Sequence, residues 1–176
     1  MKTHLVVAAI GRDRHGLVNE LAKVVFEHSC NMLDSRMTVM GSEFASIVLV
    51  EGNWNNIAKL EDALPVTAKQ LDLSLIVRRA DVRQGREGVL PYAVEAVAVD
   101  HPGIVNQLSS FFTKRSVNIE DLRTDRYPAP HTGTPMFTVH MIVGVPSSQH
   151  IGALREEFMA FCDEFNLDAV IEPVKG

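Results

Sequence analysis

The feature that most constrains this sequence is an internal repeat. Residues 13–36 (DRHGLVNELAKVVFEHSCNMLDSR) recur 87 positions later as residues 100–123 (DHPGIVNQLSSFFTKRSVNIEDLR), and nine positions are identical without a gap. A repeat of this length predicts a structural unit that is used twice. We therefore expect two small domains, residues 1–80 and 91–176. A segment with two glycines and mixed charges, residues 81–90, is the predicted linker between them.

Each copy of the repeat predicts a loop followed by an amphipathic helix. Apolar residues recur at helical spacing in both copies: Leu17, Val18, Leu21, Val24 and Val25 in the first, and Ile104, Val105, Leu108, Phe111 and Phe112 in the second. One face of each helix is therefore predicted to pack on a core. In the second copy Asp100 or His101 is the expected N-cap, with Pro102 in the first turn.

Runs of apolar and β-branched residues predict four strands in each half. The predicted strands are residues 4–10, 32–40, 43–51 and 73–79 in the first half, and residues 92–99, 119–126, 136–145 and 167–174 in the second. A further helix in each half is predicted from its apolar face. In the first half it carries Ile57, Leu60 and Leu64 and is interrupted or restarted at Pro65. In the second half Ser147 or Ser148 is the expected cap.

The order strand, helix, two strands, helix, strand predicts an α+β fold. We expect each half to be a ferredoxin-like βαββαβ domain, with two helices on one face of a four-stranded antiparallel sheet. The halves differ at one hairpin, where residues 127–135 (YPAPHTGTP) replace the short Gly41-Ser42 connection and add about six residues. This loop is a candidate partner surface or lid, and an idle insertion is the alternative.

The loop before each first helix is the candidate binding site. A glycine there leaves the N–H groups of the helix start uncovered, and these groups attract anions such as a carboxylate. An asparagine follows fifteen residues later, at the start of a strand, and we expect its amide to reach back toward the loop. Structural roles compete with these assignments: helix capping for Asp13 and Asp100, close helix packing for Gly16 and Gly103, and left-handed turns for Asn31 and Asn118.

The pattern Asp-x-Pro-Gly, an amphipathic helix and then Asn-Ile opening a strand resembles the ACT domain, a βαββαβ module that often binds amino acids and regulates other proteins. The resemblance covers nearly the whole chain. It implies a non-enzymatic regulatory protein that senses a small amino acid, glycine foremost, and represses glycine cleavage genes through a transcription-factor protein partner. A regulatory subunit of an enzyme of amino-acid metabolism is the alternative.

The resemblance also implies which residues bind the ligand. Loop amides would hold the carboxylate and the asparagine the amino group, often at an interface between two modules. The implied residues are Asp13, Arg14, His15, Gly16, Leu17 and Asn31 in the first module, and Asp100, His101, Pro102, Gly103, Ile104 and Asn118 in the second. The first module departs from the pattern, because His15 stands where the pattern has proline.

Composition narrows the class of function further. A net charge of −5 and a pI near 5.8 argue against direct binding of nucleic acid. The segment HLVVAAIG is too short to span a bilayer, so we expect a cytoplasmic protein without a membrane anchor. Because domains of this size are marginal alone, we expect the two halves to pack on each other or to share an extended sheet. We also expect a homo-oligomer.

Catalysis finds no support in the sequence. It contains no nucleophile elbow, P-loop or dinucleotide fingerprint, so we expect no enzyme and no cofactor. A metal-dependent enzyme built on His15, His101, His131 and His140 is a minor alternative, because these histidines lack ligand spacing. Cys30 and Cys162 also lack such spacing and are predicted to be reduced thiols.

Overall fold

The chain folds into two compact units, residues 1–84 and 85–176. The computed structural model describes residues 2–81 and 88–174. Most of the predicted linker, residues 82–87, lies outside the described residues, so the linker itself stays a prediction. Its last two residues are not linker, because Val89 and Leu90 pair with Pro146 and Val145 in a β-ladder.

The first domain has the predicted order of elements. They are β1 (Lys2–Arg12), α1 (Leu17–Glu27), β2 (Asn31–Met40), β3 (Glu43–Asn53), α2 (Trp54–Leu71) and β4 (Ser74–Ala80). The strands form an antiparallel sheet in the order β2-β3-β1-β4. Alternate residues of β1, namely Leu5, Val7 and Ala9, are buried, as expected for a strand with one face on a core.

The second domain repeats this arrangement with β5 (Val89–Val99), α3 (Ile104–Thr113), β6 (Asn118–Pro128), β7 (Pro135–Pro146), α4 (Ile151–Glu164) and β8 (Asp168–Pro173). Its antiparallel sheet has the order β6-β7-β5-β8. The core is rich in aromatic rings, and Phe158 lies 5.2 Å from Phe111 and 5.4 Å from Phe112 between ring centroids. The predicted fold, two ferredoxin-like βαββαβ domains, is confirmed.

Helix α2 continues through Pro65, so the predicted interruption there is wrong. Proline removes one backbone N–H and with it the hydrogen bond to the carbonyl four residues earlier. The helix nevertheless keeps a continuous buried face, formed by Ile57, Leu60, Leu64, Ala68 and Leu71. Pro65 itself is exposed. Burial of that face therefore outweighs the local defect, which lies on the solvent side.

Helix α4 is capped by His150, so the predicted cap at Ser147 or Ser148 is wrong. His150 Nδ1 accepts a hydrogen bond from the Ala153 N–H at 3.2 Å. The two serines lie in a turn that follows β7, in which the Gln149 N–H donates to the Pro146 carbonyl. This turn delays the start of the helix to Ile151.

The inserted segment lengthens the loop of the β6–β7 hairpin more than it lengthens the two strands. Tyr127 pairs with Met136 and Pro128 with Pro135, so both ends of the predicted loop 127–135 are strand. The connection is residues 129–134. Its conformation is held by two backbone bonds, from the Ala129 N–H to Thr134 O at 2.8 Å and from the Gly133 N–H to Ala129 O at 2.9 Å.

Candidate functional site

The first helix of each domain begins at a glycine with left-handed backbone. Gly16 has φ 93° and Gly103 has φ 104°, and both are the N-cap residues. A Cβ added to either glycine would meet no atom within 4 Å. Glycine is therefore required by the backbone conformation and not by close helix packing, which removes one of the structural roles considered above.

Neither loop aspartate caps its helix, so the capping role expected for Asp13, Asp100 and His101 is wrong. Both helices lack a side-chain cap hydrogen bond. Each aspartate instead ties the loop to the following hairpin through its backbone, because the Asp13 N–H donates to Ser42 O and the Asp100 N–H to Pro135 O. The helix starts further along the chain than expected, and Pro102 accordingly lies before the N-cap and not in the first turn.

The start of α1 presents unbonded amides to an open cleft. The first backbone bond of the helix runs from the Glu20 N–H to Gly16 O at 3.0 Å, so the N–H groups of residues 17–19 have no acceptor within the helix. These residues line a cleft of about 780 Å³ together with the loop, Ala22, residues 37–39 and Phe44. The residues that carry these donors thus border one cleft at the positive end of the helix dipole, an arrangement suited to a carboxylate.

Charged and apolar side chains line the same cleft as these amides. Asp13 lies at the start of the loop, and Arg14 and His15 follow it, all three exposed. Leu17 is 2% exposed and anchors the loop in the core, while Val39 forms part of the opposite wall. The cleft therefore combines amide donors, one carboxylate, an arginine, a histidine and apolar side chains.

The corresponding loop of the second domain has different surroundings. Asp100 Oδ2 lies 2.7 Å from Arg126 Nε, and His101 Nδ1 donates to the Pro102 carbonyl at 3.0 Å. A hollow of about 270 Å³ beside Arg126 is lined by residues of the β6–β7 hairpin. The Gln107 N–H bonds Gly103 O at 2.9 Å, so Ile104 lies in the same type of helix start as Leu17.

The two asparagines do not reach their loops. Asn31 pairs with Glu51, which pairs with His4 near the beginning of β1, whereas the loop follows Arg12 at the end of β1. Helix α1 separates the two places by about 16 Å. Within each domain the asparagine thus lies at the end of the sheet opposite the loop, because β2 and β6 start where the preceding helix has ended. The expectation that the amide reaches back is wrong.

Asn118 occupies the same position in the second domain. It pairs with Gly144 at the start of β6, and its Nδ2 donates to the carbonyl oxygen of Ile119 at 3.2 Å. The twelve predicted residues therefore divide into two loops, which the structure brings to the helix starts, and two distant asparagines. The predicted set lacked Val18, Asn19, Ala22, Met37, Thr38, Val39 and Phe44 of the cleft, and Arg126 beside the second loop.

Other kinds of site find no geometric basis in the described ranges 2–81 and 88–174. No three or more His, Cys, Asp or Glu side chains there are placed to hold a metal ion. No helix in those ranges is long and apolar enough to cross a membrane. Burial raises the pKa of the Cys30 thiol, and burial together with the charge of Asp163 raises the pKa of Cys162 to about 12. Both thiols are therefore protonated and poor nucleophiles at neutral pH.

Comparison with known proteins agrees with this architecture. Residues 3–78 match the family model of the ACT domain. Over 97% of its length the chain is 29% identical to the glycine cleavage system transcriptional repressor of Escherichia coli (strain K12), of which it covers 90%. Over 46% of its length the chain is also 34% identical to a UPF0237 protein of Methanocaldococcus jannaschii, of which it covers 91%.

Two solved structures share the fold of the whole chain. One, provisionally named a glycine cleavage system transcriptional repressor, has a TM-score of 0.72 and 27% identity, over 100% of this chain and 99% of that one. A protein from Galdieria sulphuraria has a TM-score of 0.80 and 28% identity, over 99% and 100% of the two chains. The first domain is therefore an ACT domain, the second repeats its βαββαβ fold, and the chain as a whole resembles the glycine cleavage system transcriptional repressor.

Proposed function

We propose that this protein is a non-enzymatic regulator that senses a small amino acid, glycine foremost, and represses glycine cleavage genes through a transcription-factor partner. The observation that carries this proposal is the extent of the similarity to the Escherichia coli repressor, 29% identity over 97% of the chain. The similarity extends over both domains and is not confined to the one that matches the family model.

The cleft beside α1 fits the chemistry of a free amino acid. A zwitterion needs hydrogen-bond donors for its carboxylate and an acceptor for its ammonium group. The unbonded N–H groups of residues 17–19 supply the donors, and the Asp13 carboxylate in the same cleft supplies the acceptor. Glycine carries both charged groups on a single carbon and needs no side-chain pocket.

The proposed partner follows from the charge of the protein. Proteins that bind duplex DNA directly place clusters of Lys and Arg against the phosphates, whereas this chain has a net charge of −5. Repression is therefore assigned to a complex in which another protein contacts the DNA. The ligand changes that complex only if it binds the free and the partner-bound protein with different affinities.

The experiment that tests sensing is isothermal titration of the full-length protein with glycine and then with a panel of other amino acids. A variant that keeps the fold but blocks the cleft is Val18→Asp. Val18 is 50% exposed and lines the cleft, and an acidic residue in a first turn favours the helix while repelling a carboxylate. The matched control is Val66→Asp, which makes the same change at a 59% exposed position of α2 outside the cleft.

We expect heat with glycine for the wild type and the Val66→Asp control, and loss of that heat in Val18→Asp. Absence of heat with every amino acid, from protein shown to be folded by circular dichroism, would refute sensing. The partner is tested by a mobility-shift assay with the control region of the glycine cleavage genes. The protein alone should give no shift at physiological salt, and a tight specific shift would refute repression through a partner.

A further inference from the structure

The two helix-start loops differ at one equivalent position of the neighbouring hairpin. In the first domain Val39 of β2 pairs with Phe44 of β3, and in the second Arg126 of β6 pairs with Phe137 of β7. Val39 and Arg126 are also 87 residues apart, which is the offset of the repeat. The same place beside the loop is thus occupied by an apolar side chain in one domain and by a guanidinium in the other.

Arg126 engages the acid of its loop. Its Nε lies 2.7 Å from Asp100 Oδ2; the Arg126 side chain is 67% exposed and the Asp100 side chain 25% exposed. In the first domain Val39 cannot make such a bond. Among residues 2–81 and 88–174, Asp13 has no salt-bridge partner, so its carboxylate is available in the cleft that Val39 helps to form.

This difference decides which domain can receive a zwitterion. The first domain offers unbonded amides for a carboxylate and a free acid for an ammonium group. In the second domain an incoming ammonium group must displace a guanidinium that is covalently held beside the acid, and such a tethered competitor acts at a high effective concentration.

We propose that the first domain alone binds the amino acid and that Arg126 closes the equivalent site in the second domain. This inference rests on the proposed function, because it assigns the sensing site to one of two similar loops. Arg126 is in this sense the specificity-determining residue of the second domain. The second domain then has no amino-acid site and is free to contact the protein partner.

Titration stoichiometry of three variants of the full-length protein tests the inference. Asp13→Asn removes the charge of the acid in the first domain. Arg126→Val places in the second domain the residue that the first domain has there. Asp34→Asn is the matched control, because it neutralises an exposed aspartate that pairs with Arg36 on the sheet and lies outside the cleft.

We expect one glycine per chain in the wild type and in Asp34→Asn. Asp13→Asn should weaken binding by at least about tenfold, as expected for loss of a hydrogen bond to a charged group. Arg126→Val should raise the stoichiometry to two glycines per chain. Two sites in the wild type, undiminished affinity in Asp13→Asn, or a single site in Arg126→Val would each overturn the inference. These outcomes all include glycine binding, so they differ from the absence of heat that would refute the proposed function.

Discussion

Replacing Gly16 with alanine isolates the energetic cost of the left-handed helix start in the first domain. Gly16 has φ 93°, and an added Cβ would meet nothing within 4 Å. Steric clash with the rest of the protein therefore contributes nothing. In the folded state the effect of the substitution comes from the backbone conformation that alanine must adopt.

The expected magnitude follows from two opposing terms. An alanine in the left-handed region costs about 1–2 kcal/mol relative to its preferred conformations. The same substitution stiffens the unfolded chain, which raises stability by about 0.4–1 kcal/mol. The net loss is then about 1 kcal/mol, which corresponds to a fall in Tm of about 4–8 °C for a domain of this size.

Two further variants separate conformation from packing. Gly16→Asn should cost less than Gly16→Ala, because asparagine tolerates the left-handed region better than other non-glycine residues. Gly11→Ala is the packing control, since its Cβ would lie 2.6 Å from the carbonyl oxygen of Asp72 and 2.8 Å from Leu73 Cδ2. Crowding of this kind costs about 1–3 kcal/mol.

Urea denaturation followed by tryptophan fluorescence is the assay. Trp54 is the only tryptophan in the chain, and it lies at the start of α2 with Arg79 Cζ 5.9 Å from its ring centroid. Its emission therefore reports unfolding of the first domain. Equal stability of Gly16→Ala and the wild type, or equal losses in Gly16→Ala and Gly16→Asn, would refute the conformational account.

Three further predictions concern burial of a core ring, the proline inside α2 and a buried thiol. Phe158→Ala should lower the free energy of unfolding by about 3–5 kcal/mol, because the ring is fully buried. Phe26→Ala, at an 80% exposed position, should lower it by less than about 0.5 kcal/mol. Calorimetry that ranks the two variants in the opposite order would contradict the burial argument. Pro65→Ala restores a backbone N–H inside α2 and should raise stability by about 1–3 kcal/mol in urea denaturation, so a loss would show that the proline is needed. Burial raises the pKa of Cys162 from 9.0 to about 12, so the thiol ionises in the unfolded chain before it ionises in the folded one. The free energy of unfolding should therefore fall between pH 9 and pH 12. The same dependence of stability on pH in Cys162→Ala would contradict this.

Elements whose signal is local and periodic could be predicted from the sequence. The alternation in β1 and the helical spacing from Leu17 to Val25 both reflect a single buried face, which a short stretch of sequence reveals. The break expected at Pro65 was wrong because a local preference competed with the burial of Leu64 and Ala68 on either side of it. Such competition is decided by tertiary packing, which no single segment encodes.

The candidate site was predictable only in part for the same reason. Glycine at the helix start is a local requirement, and both loops were found. The predicted N-cap at Asp13 was wrong because its backbone N–H is bound to Ser42, a contact made across the sheet. The distance from Asn31 to the loop and the bond between Arg126 and Asp100 depend on strand register. The repeat aligns Val39 with Arg126 but does not show which strands lie side by side, and that pairing is set by contacts between distant segments.

The longer β6–β7 hairpin makes one place in this protein suitable for engineering. The added residues lie at its tip, and the pairing of Arg126 with Phe137 keeps the register that Val39 and Phe44 have in the first domain. One length change has thus already been absorbed there without disturbing the sheet. A short epitope or a fluorescent label grafted into residues 129–134 would extend the same turn, and would mark the second domain just as Trp54 marks the first.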